Sequence, residues 1–188
     1  MNRMWLAAIL AFLVFLVMPA RPGEAAEAMA RHCAPDLHFM GMHPWHEIAG
    51  ADAVGTSFWE PLHAALGPVQ RRPDIFFAGR SDEYARPGDW VCEMGHFLGL
   101  FVRPLLGIRP TRKAAFLRYC EFSRIEGDRI VEQALYLDLD FLMDQAGVFP
   151  YAAPTGAVVL TPGPRAHDGL LLGPQPEAEG RATLALID

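Results

Sequence analysis

Apolar residues recur along this chain in two rhythms. In ADAVGTSFWEPLHAAL (51–66), Val54, Phe58, Leu62 and Leu66 return every fourth position and draw one stripe along a helix. Pro61 sits inside that run and predicts a kink or a break. After Gly88-Asp89, WVCEMGHFLGLF (90–101) alternates like a strand. Two longer runs, KAAFLRYCEFSRI (113–125) and RIVEQALYLDL, flank Glu126-Gly127-Asp128 and predict a β-hairpin. Shorter signals fill the rest: a helix over 24–34 ended by Pro35, strands over 37–42 and 74–79, and a helix over 139–145 closed by Gly147. From Phe149 to about Pro176 the chain turns Pro- and Gly-rich and reads as a linker or arm, before a helical-looking EAEGRATLALID. The order of elements predicts an α+β domain, a curved sheet with helices packed on one face and a mostly apolar pocket between the layers.

Composition narrows the function. Hydrophobic residues make up 52% and charged residues 20% of the 188, as expected of a globular chain. A net charge of −6 argues against nucleic acid as a partner, and the basic pairs Arg71-Arg72 and Arg112-Lys113 read as solvated surface. Asn2 and Arg3 precede an uncharged run from Met4 to Ala20 and then PGEAAEA, the three-part pattern of an export signal with cleavage between Ala25 and Ala28. A membrane anchor through this segment, or a start that is not native to the domain, are the other readings; the protein is then exported, anchored or cytoplasmic accordingly. The expected boundaries are 1–28 for this segment, 29–150 for the domain and 151–188 for the arm, which could lead into a truncated second copy. Cys33, Cys92 and Cys120 fit no zinc spacing; Cys92 and Cys120 read as small core residues, with a bridge between them as the alternative.

Several pieces in order resemble the SnoaL-like polyketide and ester cyclases, within the nuclear transport factor 2-like superfamily. They are APDLHFMGMHP, the helix opening at Gly50, the glycine-flanked GHFLGLF, GIRPT at 107–111, and EGDRIVEQALYLDLDFLMDQAG, which together run from about Ala34 to Gly147. The resemblance implies a cone-shaped curved antiparallel sheet, an α+β barrel whose helices close the concave face around a pocket. It implies acid/base cyclisation of a hydrophobic carbonyl compound, of intramolecular aldol type, or a related isomerisation or hydrolysis, with no cofactor. Non-catalytic members of the superfamily leave a ligand-binding or protein-interaction module as the alternative, and a homodimer is open.

By its spacing to Gln145, Asp138 matches the family's general acid/base; the residue also suits the N-cap of the helix at Leu139. The family's Gly-Thr-His-x-Gly places histidine third, whereas here His96 is second and Phe97 third. Strand alternation then turns His96 toward Trp90, Cys92 and Met94, and leaves Val91, Glu93 and Phe97 on the pocket side unless a bulge intervenes. Glu93 becomes a helper that could face Asp138 and share a proton with it. The remaining pocket candidates are His43 and Trp45 in HPWHE, Phe58 and Trp59 on the helix, and Tyr119 as a hydrogen-bond donor. His43, His46 and Glu47 do not form a zincin pattern, and no metal is expected.

Overall fold

The computed structural model describes residues 24–81, 87–152 and 166–187. Helix α1 (Ala25–His32) runs directly into strand β1 (Cys33–Gly41), and the short β2 (Glu47–Ala49) pairs back on it. A helix then starts at Ala51–Val54, widens to a π-helical turn over Gly55–Trp59 and continues through Glu60–Leu66; the whole is α2. Strands β3 (Gln70–Ser81), β4 (Gly88–Leu100), β5 (Ala114–Glu126) and β6 (Arg129–Leu137) follow, with α3 (Leu139–Gln145) and, at the end of the chain, α4 (Glu177–Ile187). The hairpin turn falls at Gly127-Asp128, as the sequence pattern predicts.

The six strands lie in the order β2-β1-β6-β5-β4-β3. This confirms the α+β reading with two differences. The sheet is mixed, because β1 runs parallel to β6, and it is not closed into a barrel. Pro35 does not end a helix but lies within β1, where the chain has already left α1 at Cys33. The apolar stripe of α2 packs as expected: Val54, Phe58, Leu62 and Leu66 are buried against Phe39, Phe97 and Leu117 from the sheet.

Pro61 neither breaks nor ends α2. It has no N–H to offer the carbonyl one turn back, and that carbonyl, of Ser57, instead accepts a hydrogen bond from Trp45 Nε1 at 3.3 Å. That hydrogen bond pins the β1–β2 turn to the helix.

Residues 1–23 and 153–165 lie outside the described residues, so the N-terminal apolar run and much of the Pro/Gly-rich arm do too. Ala25 and Met29 of α1 are fully buried, so the packed unit begins ahead of residue 29. A Cβ added to Gly55 would stand 2.5 Å from the Cα of Ala26, which shows how closely α1 and α2 approach. Further on, the arm returns to the sheet: Phe76 N donates to Gly169 O at 2.8 Å, and Leu171 N to Phe76 O at 2.7 Å. Among the described residues, no helix is long and apolar enough to cross a membrane.

Candidate functional site

In the centre of the sheet, strand register sets Glu93 of β4 directly opposite Glu121 of β5. Both are buried, at 4% and 2% exposure, and two facing carboxylates repel strongly when water is excluded. The guanidinium of Arg71 resolves the conflict. Its Nε donates to Glu93 Oε1 at 2.6 Å and its Nη2 to Glu121 Oε2 at 2.8 Å. Glu121 Oε1 also accepts from Ser123 Oγ at 3.1 Å and Gln133 Nε2 at 2.7 Å. Glu93 Oε1 takes a further, very short hydrogen bond from the Tyr119 hydroxyl. Burial works against the charge on Arg71, but Glu121 and Glu93 overcome it and hold the group protonated well above its ordinary range. Burial raises the Tyr119 pKa; Arg71 pulls it down and Glu93 pushes it up again, so the phenol keeps its proton.

Arg71 reaches this position through an irregularity. From the buried Phe76, strict alternation would send Arg72 inward; the register shift between Pro73 and Ile75 inverts the parity and sends Arg71 in instead. Arg72 stays exposed. The expectation that both arginines are solvated therefore holds for one of them only. The same irregularity accounts for Gly95, since a Cβ there would meet Arg72 O at 2.1 Å.

An aromatic series leads from the β1–β2 turn to this cluster. Trp45 meets Phe58 with ring centroids 4.8 Å apart, Phe58 meets Trp59 at 5.0 Å, Trp59 meets Phe97 at 6.0 Å, and Phe97 stacks on Tyr119 at 4.5 Å. The guanidinium carbon of Arg71 lies 4.5 Å from the Tyr119 ring centre, within cation–π range. Among the buried polar atoms in these surroundings, Trp59 Nε1 and Gln133 Oε1 have no hydrogen-bond partner among the described residues.

The sequence-derived candidates divide between the two faces of the sheet. Glu93, Phe97, Tyr119, Phe58 and Trp59 are brought together on the inner side, with Trp45 half-buried at the start of the aromatic series. Asp138 is not among them. It follows the outward-facing Tyr136 and the inward-facing Leu137, so alternation turns it to the outer side. There Oδ1 caps α3 by accepting from Phe141 N at 2.9 Å, while Oδ2 accepts from Arg118 Nε at 2.9 Å and Nη2 at 2.6 Å. The expected inward carboxylate is thus an N-cap and an ion-pair partner, and the carboxylate facing Glu93 is Glu121. His96 also lies on the outer face, as alternation predicts, with Nδ1 3.4 Å from Asp74 Oδ2 and its ring 5.6 Å from Phe116. His43 is exposed in the turn beside His46. Cys33, Cys92 and Cys120 are free thiols. Arg71, Glu121, Ser123 and Gln133 are the cluster residues that pattern reading did not single out as a site. A signal existed for Glu121, which alternates with Tyr119.

Neither a family model nor a curated protein sequence matches this chain. Solved structures do match in shape. A structure assigned as a SnoaL-like polyketide cyclase from Jannaschia sp. CCS1 is 13% identical, with a TM-score of 0.58 over 81% of this chain and 98% of that one. One assigned as an isomerase from Bacillus subtilis is 14% identical, with a TM-score of 0.56 over 79% and 97%. A nuclear transport factor 2-like protein from Anabaena variabilis ATCC 29413 is 20% identical, with a TM-score of 0.52 over 72% and 89%. The chain therefore has the nuclear transport factor 2-like α+β fold, in the form it shares with SnoaL-like cyclase structures. The names attached to these neighbours differ, and a shared fold does not by itself carry a reaction.

Proposed function

We propose that this protein is a cofactor-independent acid/base enzyme acting on a hydrophobic carbonyl compound, with its chemistry at Glu93 and Tyr119. The observation that supports this most is the water-poor pairing of a carboxylate with a protonated phenol at the end of an aromatic series. Aldol-type ring closure requires a proton removed beside a carbonyl and a proton supplied to the resulting oxygen. Glu93 suits the first task. One of its oxygens is held by Arg71 and Tyr119, and Oε2 has no partner among the described residues. The proton that Glu93 takes up is the one delivered to the oxygen, and Tyr119, whose hydroxyl keeps its own proton, suits the role of hydrogen-bond donor to that oxygen. Trp59 Nε1 is a further donor for a substrate oxygen, and Phe58, Trp59 and Phe97 offer flat apolar surface to an aromatic or polycyclic ligand.

Arg71 and Glu121 are positioning residues here. They fix the Glu93 carboxylate and balance its charge without exhausting its lone pairs. A second reading, a non-catalytic binding module, draws support from the same network, whose arginine and Glu121 are already well partnered. Incubating the protein with an aromatic poly-β-ketone separates the two. Ring closure above the uncatalysed rate, lost in Glu93→Gln, supports the enzyme. Saturable quenching of tryptophan fluorescence without turnover supports the binding module. Neither response overturns both.

A further inference from the structure

The turn from β1 to β2 carries two histidines that take no part in the inner cluster. Three main-chain hydrogen bonds brace it: Gly41 N to His46 O at 2.6 Å, Trp45 N to Met42 O at 3.0 Å, and His46 N to Met42 O at 3.3 Å. Trp45, between the histidines, is anchored on α2 through Ser57 O and the Phe58 ring. His46 is held at φ 51°, a left-handed conformation that histidine enters more readily than most residues but still at a cost. Within this frame His43 Nδ1 stands 3.2 Å from His46 Nε2, both side chains are exposed, and the rings are inclined by 67°.

Two imidazole nitrogens at that separation can share one proton or one cation. A zinc-like ion bonds to histidine nitrogen at about 2.0–2.1 Å; placed that far from two nitrogens 3.2 Å apart, it would subtend an angle of about 103°, close to tetrahedral. We propose that His43 and His46 form an open two-histidine site for a borderline divalent transition-metal ion of the zinc or copper(II) class. Imidazole selects these ions over calcium and magnesium, which prefer oxygen. Among the described residues no three His, Cys, Asp or Glu side chains converge as a ligand set, so water completes the shell. Affinity is accordingly weaker than in three- or four-ligand sites. Binding requires both facing nitrogens to present lone pairs, so the ring proton between them moves to the far nitrogen of its own imidazole. The chain's net charge of −6 favours a cation in general, while the Glu47 carboxylate is engaged by His38 at 3.5 Å and is not part of the site. The site is independent of the chemistry proposed for Glu93.

Calorimetric titration of the full chain with zinc chloride at neutral pH tests it. The expected result is one ion per chain, with affinity reduced at least about 10-fold in His43→Ala and in His46→Asn, because loss of a direct ligand costs no less than loss of a ligand-orienting partner. Asparagine tolerates the left-handed backbone, so His46→Asn should melt like the parent without zinc. His96→Asn should bind zinc like the parent. Absence of saturable binding at millimolar zinc, or equal binding by the parent and both turn variants, overturns the site.

Discussion

The two faces of one sheet carry two polar clusters with different physics. On the inner face, Glu93, Glu121, Arg71 and Tyr119 are buried and charge-balanced at hydrogen-bond distance. On the outer face, the Asp74–His96 and Arg118–Asp138 pairs are part-exposed, with Asp138 at 28%. Three register positions separate them, an odd number that puts them on opposite faces: Glu93 opposes Glu121 and His96 opposes Arg118. The difference teaches that parity decides which carboxylate lies in the dry interior. A carboxylate's place in a family-like motif does not.

The largest effect should come from removing the inner cation. Arg71→Met leaves two carboxylates buried without compensation and should destabilise the fold by about 3–5 kcal/mol in urea denaturation. Neutralising them as well, in the triple variant with Glu93→Gln and Glu121→Gln, should restore most of that loss. A cost below about 1 kcal/mol for Arg71→Met, the range of exposed pairs, would erase the contrast between the faces.

Next comes the irregularity that sends Arg71 inward. Gly95→Ala forces a methyl group against Arg72 O and should cost about 1–3 kcal/mol, as overpacking does. On the outer face, Asp138→Ala should cost only about 1 kcal/mol, mostly the lost cap of α3. The last effect is confined to alkaline pH and is absent at neutrality. Burial, reinforced by Glu121 and partly offset by Arg129, pushes the Cys33 thiol up to about 12 from 9.0. Between those values the unfolded chain gives up the proton and the folded one keeps it, so stability falls as pH rises through this window. In Cys33→Ala that part of the slope should disappear from denaturation midpoints measured across the window.

Much of the architecture was legible from periodicity. The stripe of α2, the β5–β6 hairpin and the short α3 rest on local patterns, and all three appear where those patterns put them. The parallel pairing of β1 with β6 and the open sheet are long-range outcomes without a local signature. At the candidate site, alternation measured from the family-like histidine motif puts Glu93 and Phe97 inward and His96 outward, as observed. Arg71 escaped because a bulge inverts its strand. For Asp138 the sequence offered two roles at a strand–helix junction, a cap and an acid/base, and the structure shows the cap. The GHFLG motif illustrates the limit of motif reading. Its two glycines answer to backbone crowding, by Arg72 O at Gly95 and by Leu66 O, 2.2 Å from a Cβ placed on Gly99.

The central claim is that proton transfer belongs to the inner carboxylate. It is tested most directly by measuring turnover of an aromatic poly-β-ketone by the parent, Glu93→Gln and Asp138→Asn side by side. The account predicts a fall of about 100-fold or more for Glu93→Gln, the usual scale of general acid/base catalysis, and near-parental rates for Asp138→Asn. The reverse pattern, with Asp138→Asn inactive and Glu93→Gln unaffected, would contradict it.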